Sequence, residues 1–324
     1  MTRKNLSAAF AAVGIFVLIL DSANAAQWAS EGIELCMRTV IPSLFPFFVV
    51  SGCLTGNIST SRFLSPVARC FSVGDSGTPA LICGFLGGYP VGAISIAQRW
   101  KHKSLSTDEA RRMLSFCSQA GPSFLFGMVS GCFTSRSVPW ILWGIQIISA
   151  WMVSRISPMG EISQGKQEQS SGMSFAEALH NGLYAMAAVC GWVTLFRVIL
   201  GFCGRWFFWL FPSSIQVLLC GLLELANGCC KLNQIGDESL RFVVCAVILN
   251  FGGLCVLMQT MSAVGPLGIR EYLRGKILQT VFALMISLPI SGIIPPWNLS
   301  LILPLMIFTG KRRKISRFPA IVDV

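Results

Sequence analysis

The chain has 324 residues, 53% of them hydrophobic and only 12% charged, a composition that excludes a pair of soluble domains and places it in the membrane class. Its formal net charge of +11 does not point to nucleic acid, because the Lys and Arg residues lie in short loops beside apolar runs and not on one amphipathic face. Thirteen cysteines do not form a secreted disulfide framework either: most, such as Cys83, Cys190, Cys220 and Cys245, sit within apolar runs, and no C-x-x-C pair occurs. His102 and His180 lack metal-ligand spacing, so neither metal nor cofactor is expected.

Apolar runs of about 20 residues, enough for a helix to cross a bilayer core, recur from Leu6 to Phe308. Leu6 to Leu20 follows Arg3 and Lys4 and precedes Ala23-Asn24-Ala25, the pattern of a signal peptide or a retained anchor; either leaves Trp28 outside. Loop charges then set a path. The inside set includes Arg62, Arg69, Arg99, Lys101, Arg111, Arg112, Arg155, Lys166, Arg270, Arg274 and Lys276, whereas Arg136, Arg205, Lys231 and Arg241 fall outside. Gly32 to Leu54 crosses inward. Pro79 to Gln98 has basic loops on both sides and is interrupted by Gly87-Gly88-Tyr89-Pro90, which suits a re-entrant pair of half-helices. Met113 to Phe133 crosses outward, and Val138 to Ser154 returns to a polar linker, Ser157 to Ser174.

In the second half Ala178 to Cys203 crosses outward, Trp206 to Cys230 reads as another interrupted segment, and Leu240 to Ser262 crosses inward. Ile277 to Ile294 and the shorter Leu299 to Phe308 follow, and Lys311-Arg312-Arg313-Lys314 fixes the C-terminus inside. Trp28, Trp140, Trp206, Trp209 and Trp297 fall near the outer interface, Trp100 and Trp151 near the inner one. The expected fold is all-α: a polytopic helical membrane protein of about eight spans plus two interrupted re-entrant segments. Residues 1–324 form one membrane domain, with repeats at 28–155 and 175–276 and C-terminal spans and a basic tail at 277–324.

The two halves resemble each other. Cys83-Gly84-Phe85-Leu86-Gly87-Gly88 is similar to Cys220-Gly221-Leu222-Leu223-Glu224-Leu225, and the next span carries Ser118-Gln119-Ala120-Gly121 in one half and Asn250-Phe251-Gly252-Gly253 in the other. The charge-derived path runs the halves in opposite directions. Inverted repeats with broken helices are a transporter pattern, in which half-helix ends and unwound backbone meet a solute at mid-membrane. Such breaks are costly in lipid unless protein or water surrounds them.

The candidate binding residues are Gly87, Gly88, Tyr89, Pro90, Ser118, Gln119, Glu224, Asn227, Asn250 and Gln259. Glu224 stands out, because an ionisable group inside the run Val217 to Cys230 needs a partner or a wet cavity. It would bind a cation, accept a proton or touch a polar solute; its structural alternative is an ion pair with Arg197 or Arg205. Asn227 shares its face if the helix continues. Gly84, Gly88 and Gly92, four apart, would give any helical part a smooth packing face. Ser118, Gln119, Asn250 and Gln259 suit a polar solute or ordinary interhelical hydrogen bonds. Arg38 is placed to snorkel to an interface.

Several ordered stretches carry a family resemblance: Ile41-Pro42-Ser43-Leu44-Phe45-Pro46-Phe47-Phe48, Gly84 to Ala93, Glu109-Ala110-Arg111-Arg112 leading to Ser115-Phe116-Cys117, Ala120-Gly121-Pro122-Ser123-Phe124, Gly221 to Gly228, and Phe251-Gly252-Gly253-Leu254 with Gln259. With these the chain resembles the YlbJ family of sporulation integral membrane proteins, related to proteins with a nucleoside-recognition or gate domain. Ser118 stands where the family's Phe-Cys-Asn stretch has Asn, and Ala226 where its Glu-x-Thr-Asn-Gly pattern has Thr. The resemblance implies a multi-span protein of the bacterial plasma membrane, associated with sporulation.

The expected function is a secondary transporter or permease for a small polar metabolite, nucleoside-like solutes included. The alternative is a non-transporting assembly factor for the spore envelope. An enzyme is not expected, since the spans hold no Ser/Lys, Ser/His, paired Asp or H-E-x-x-H constellation. The expected partners are the lipid bilayer, the solute, and a coupling cation or proton, with no nucleic acid and the oligomeric state open.

Overall fold

The computed structural model describes residues 3–57, 64–158 and 174–293. The span expected at Leu299 to Phe308, the basic C-terminal cluster and most of the polar linker lie outside those residues. Among the described residues every regular element is helical. The first half comprises α1 (Arg3–Leu20), α2 (Ser22–Leu35), α3 (Ile41–Asn57), α4 (Ser65–Cys70), α5 (Thr78–Leu86), α6 (Val91–Lys101), α7 (Thr107–Leu114), α8 (Pro122–Cys132) and α9 (Val138–Ile156). The second comprises α10 (Phe175–Trp206), α11 (Ser213–Leu223), α12 (Leu225–Cys230), α13 (Glu238–Phe251), α14 (Gly253–Val264) and α15 (Arg270–Ile290).

Four of the described helical stretches are long and apolar enough to cross a membrane: Ser22–Val50, Phe175–Trp206, Glu238–Leu267 and Arg270–Ile290. They contain or overlap four of the expected spans. The 19-residue α9 holds the expected span Val138 to Ser154 but is not among these four. At 32 residues, α10 is about 48 Å long, well beyond the ~30 Å hydrocarbon core, so it must tilt or protrude.

Local signals explain where helices start. Ser174 and Glu177 form a reciprocal capping box at the head of α10, which satisfies amide donors that the first turn leaves unpaired. Ser106 and Asp237 cap α7 and α13 through their side-chain oxygens. Glycine then decides how closely helices pack. Along α10, a Cβ on Gly201 would lie 2.1 Å from the Trp28 ring and one on Gly182 would lie 3.3 Å from Val49, while a Cβ on Gly32 of α2 would lie 2.9 Å from the Thr194 Cα. The rising and falling numbers show α10 running antiparallel to the continuous α2–α3 stretch.

The breaks divide the expected segments in a regular way. α5 and α6 are two half-helices separated by Gly87 to Pro90, and α11 and α12 are separated at Glu224. The glycines at 84, 88 and 92 do not form one helical face, contrary to that reading. Gly84 and Gly92 instead meet across the hairpin, where a Cβ on Gly92 would lie 2.7 Å from the Gly84 Cα. The second hairpin is built the same way: a Cβ on Gly228 would lie 2.2 Å from the Gly221 Cα.

Each hairpin is backed by the next segment at a point where that segment departs from a straight helix. The expected span Met113 to Phe133 is not one helix; α7 stops at Leu114 and the chain runs without helix from Ser115 to Gly121 before Pro122 starts α8. Pro at the first helical position cannot donate to a preceding turn, and averaging hydropathy across the stretch hides the break. The Cys117 carbonyl packs on Gly84 and Gly92, and Gln119 N donates to Gly84 O at 3.2 Å. Correspondingly, Leu240 to Ser262 is bent at Gly252 and Gly253, both at positive φ, where a Cβ on Gly253 would lie 3.0 Å from Gly221 O.

Candidate functional site

The two breaks face a common cleft. About 40 Å³ inside it is open to a water-sized molecule, and its wall takes Tyr89, Ala120 and Gly121 from the first half and Glu224, Leu225, Ala226, Val256 and Gln259 from the second. Val40, Leu44, Phe124, Val189 and Val193 complete a mainly apolar lining. Three polar side chains in an otherwise apolar wall are the composition of a pocket that holds an amphipathic small molecule in one orientation.

Glu224 is held by the break that it creates. Its backbone is extended, at φ −144° and ψ 118°, and its side chain caps α12. Oε1 accepts from Ala226 N at 3.1 Å, and Oε2 accepts from Asn227 N at 2.6 Å and Asn227 Nδ2 at 2.8 Å. The helix does not continue through Glu224, so Asn227 is its hydrogen-bond partner and not a neighbour on one face. The expected alternative partners are engaged elsewhere: Arg197 pairs with Glu31, and Arg205 pairs with Asp21 at 2.8 Å. Glu224 is 2% exposed, and backbone and amide donors supply what a counter-ion would otherwise supply.

Tyr89 ties the halves together. It follows Gly88, which sits at φ +83° beside Gly121, and a Cβ on Gly252 would lie 3.0 Å from the Tyr89 ring. The Tyr89 hydroxyl donates to Leu249 O at 3.1 Å, the carbonyl just before the α13–α14 bend. Lys276 Nζ donates to that same hydroxyl at 2.8 Å and to Gln279 Oε1 at 2.6 Å, and also bonds Ser118 O. Gln119 Oε1 lies 3.5 Å from the ammonium.

Lys276 is therefore not one of the inside loop charges. It is 1% exposed, on an α15 that begins at Arg270, before the apolar run that had marked the span. Neighbouring Gly275 makes this possible, since a Cβ there would lie 1.9 Å from Ser115 O. The sequence signal was Lys276 and Gln279, three apart in a helix, but the oxygens that satisfy the ammonium come from distant segments. Arg112 likewise leaves the inside loop set: it is buried and donates to Ser72 O and Phe71 O, both at 2.8 Å, and to Ser154 O at 3.0 Å. Arg38, by contrast, is exposed and pairs with Glu34 one turn away.

Of the ten candidate residues, Tyr89, Glu224 and Gln259 share the cleft wall. Gln259 Nε2 faces Cys255 Sγ at 3.3 Å. Gly87, Gly88 and Pro90 shape the first break behind Tyr89, and Asn227 holds Glu224. Ser118 and Gln119 lie on the unwound segment beside Lys276, with Gln119 Nε2 donating to Phe116 O at 2.8 Å. Asn250 donates within its own helix to Ala246 O at 2.8 Å and does not line the cleft. Gln146 of α9 was not singled out; its Oε1 accepts from Ala120 N at 2.9 Å and steadies the unwound strand.

The chain is similar to the sporulation integral membrane protein YlbJ of Bacillus subtilis (strain 168), being 25% identical over an alignment 313 residues long, with 79% of this chain and 74% of that protein covered. The chain is YlbJ-like. No protein-family model matches it, and no solved structure is significantly similar. With an integral membrane relative and several long apolar helices, the YlbJ-like chain is a multi-pass membrane protein. Its thirteen cysteines form no disulfide, and most of them are buried or half-buried.

Proposed function

We propose that the YlbJ-like chain is a secondary transporter or permease of the bacterial plasma membrane, moving a small polar metabolite in connection with sporulation. The observation that carries this reading is the meeting of two broken hairpins at one cleft, with Glu224, Tyr89 and Gln259 set in an apolar wall. The related construction of the hairpins, each with crossed glycines and with a broken or bent segment behind it, supports the inverted-repeat frame of about eight spans, a fold that exposes a central site to either side in turn. The sporulation link rests on the name of the relative.

Nucleosides are the first solute class to test. A planar base suits the apolar wall, and sugar hydroxyls can donate to Glu224 and Gln259, whose side-chain oxygens accept. The test is uptake of labelled ribonucleosides into proteoliposomes, preceded by a thermal-stabilisation screen that includes other small polar metabolites. Uptake that Glu224→Gln and Gly88→Leu both abolish supports the reading. Uptake unchanged by either substitution contradicts it, and so does a chain that transports and binds none of the panel while sporulation depends on its lipid-facing surface, which is the behaviour of an assembly factor.

A further inference from the structure

Lys276 does not line the cleft, yet more of the breaks converge on it than on any other charged group described above. Its ammonium carries three N–H donors and faces four oxygens: the Tyr89 hydroxyl at the first break, Ser118 O and Gln119 Oε1 on the unwound segment, and Gln279 Oε1 one turn along α15. All four are neutral. Nζ also lies 4.8 Å from the centre of the Tyr89 ring and 5.9 Å from that of Tyr272, within the range of cation–π attraction. Among the described residues no carboxylate forms an ion pair with it.

The surroundings matter for any proton equilibrium here. The titratable side chains at hand are Tyr89 from the first break, Cys117 from the unwound segment and Tyr272 from α15 itself. Glu271 and Arg274 of α15 lie by a separate recess with Ser115 and Ser157. Arg112 of α7 and Arg155 of α9 bond to Ser72 and its neighbours, Arg111 of α7 bonds Leu267 O, and Glu109 sits one helical turn before Arg112. At the other end of α15, where Ser239 meets Ser291, Glu238 bonds Thr134 and Arg241 bonds Cys132 O. None of these charges substitutes for the four oxygens.

A ring of hydroxyl, amide and unwound-carbonyl oxygens is what transporters of this construction use to hold a coupling cation; here the chain's own ammonium fills it. Lysine differs from a bound metal ion and from arginine in that it can shed its charge by losing a proton. We propose that Lys276 is a proton-binding site that latches the unwound segment 115–121 to the Tyr89 break: charged, it holds Ser118 O and Tyr89 together; neutral, it lets the segment leave. On release an N–H bond breaks, its electron pair stays on Nζ, and the proton passes to water or buffer base reaching the cleft beside Tyr89. This deepens the transporter reading by naming the proton as the coupling ion, and rests on that reading only for the word coupling.

The latch is tested without any solute, by hydrogen exchange of the full-length protein in detergent. Gln119 N donates to Gly84 O and Ala120 N to Gln146 Oε1, so these amides report whether the segment is docked. Exchange is followed from about pH 6 to about pH 9.5 and normalised to intrinsic rates. Wild type should lose protection in this segment by about tenfold or more toward the alkaline end, with α10 amides unchanged. Lys276→Arg, which keeps its charge throughout, should show no such loss, and Lys276→Met should be unprotected at every pH. Normalised protection that is flat with pH in wild type overturns the proposal, as does a loss of equal size in Lys276→Arg. The wild-type and Arg arms decide even if the Met variant does not fold. Failure here with nucleoside uptake intact would leave the transporter standing with another coupling ion.

Discussion

Gly84→Ala is the sharpest structural perturbation available. A Cβ at Gly84 would lie 1.5 Å from the Cys117 carbonyl oxygen and 2.7 Å from its carbon. An ordinary C···O approach is about 3.3 Å, so α5 and the unwound segment must part by roughly 1.8 Å. Neither side yields cheaply, because the obstructing atoms are backbone. The displacement also breaks the Gln119 N to Gly84 O bond of 3.2 Å. Overpacking of this kind costs about 1–3 kcal/mol and the hydrogen bond about 1 kcal/mol, giving a loss of roughly 3 kcal/mol. The assay is reversible denaturant unfolding in mixed micelles, with Gly191→Ala as control. That glycine lies in α10 with nothing within 4 Å of its Cβ position, so alanine should be neutral or stabilise by up to about 1 kcal/mol. If Gly84→Ala unfolds within about 0.5 kcal/mol of wild type, the close backbone crossing is refuted.

Other substitutions separate supporting contacts from incidental ones. Arg112→Met removes three hydrogen bonds from a buried guanidinium to carbonyls that would then lack a donor, and should cost about 3 kcal/mol or more in the same unfolding assay. Arg205→Ala breaks only a half-exposed pair with Asp21 and should change stability by about 1 kcal/mol or less. Tyr89→Phe keeps the ring against Gly252 but loses the bonds to Leu249 O and Lys276. It should destabilise by about 1–3 kcal/mol, and hydrogen exchange should locate the loss at the α13–α14 bend.

Much of the fold could be read from residues, and the failures share one cause. Gly87-Gly88-Tyr89-Pro90 and Glu224 mark the breaks because each offends a local rule: glycine and proline end a helix, and a carboxylate in an apolar run needs a special environment. Asn250-Phe251-Gly252-Gly253 locates the bend, although Asn250 itself turns back into its helix. The break at 115–121 was hidden because Phe116, Cys117 and Ala120 keep the stretch apolar. Lys276 and Arg112 were assigned to loops because a charge beside an apolar run normally marks its end. What solvates them comes from residues 89, 118 and 279 in one case and 71, 72 and 154 in the other, and no local pattern connects such distant positions.

Transport of this kind requires that the two broken hairpins meet at one water-accessible cleft. Ala120→Cys and Ala226→Cys place one thiol on each hairpin's side of it, in a background whose native cysteines have been replaced. The decisive measurement is reaction of this pair, in membranes, with a short hydrophilic bifunctional thiosulfonate. Both thiols should react from the aqueous phase and be joined within one chain. Thiols that stay unreactive, or that react singly and are never joined, would contradict it.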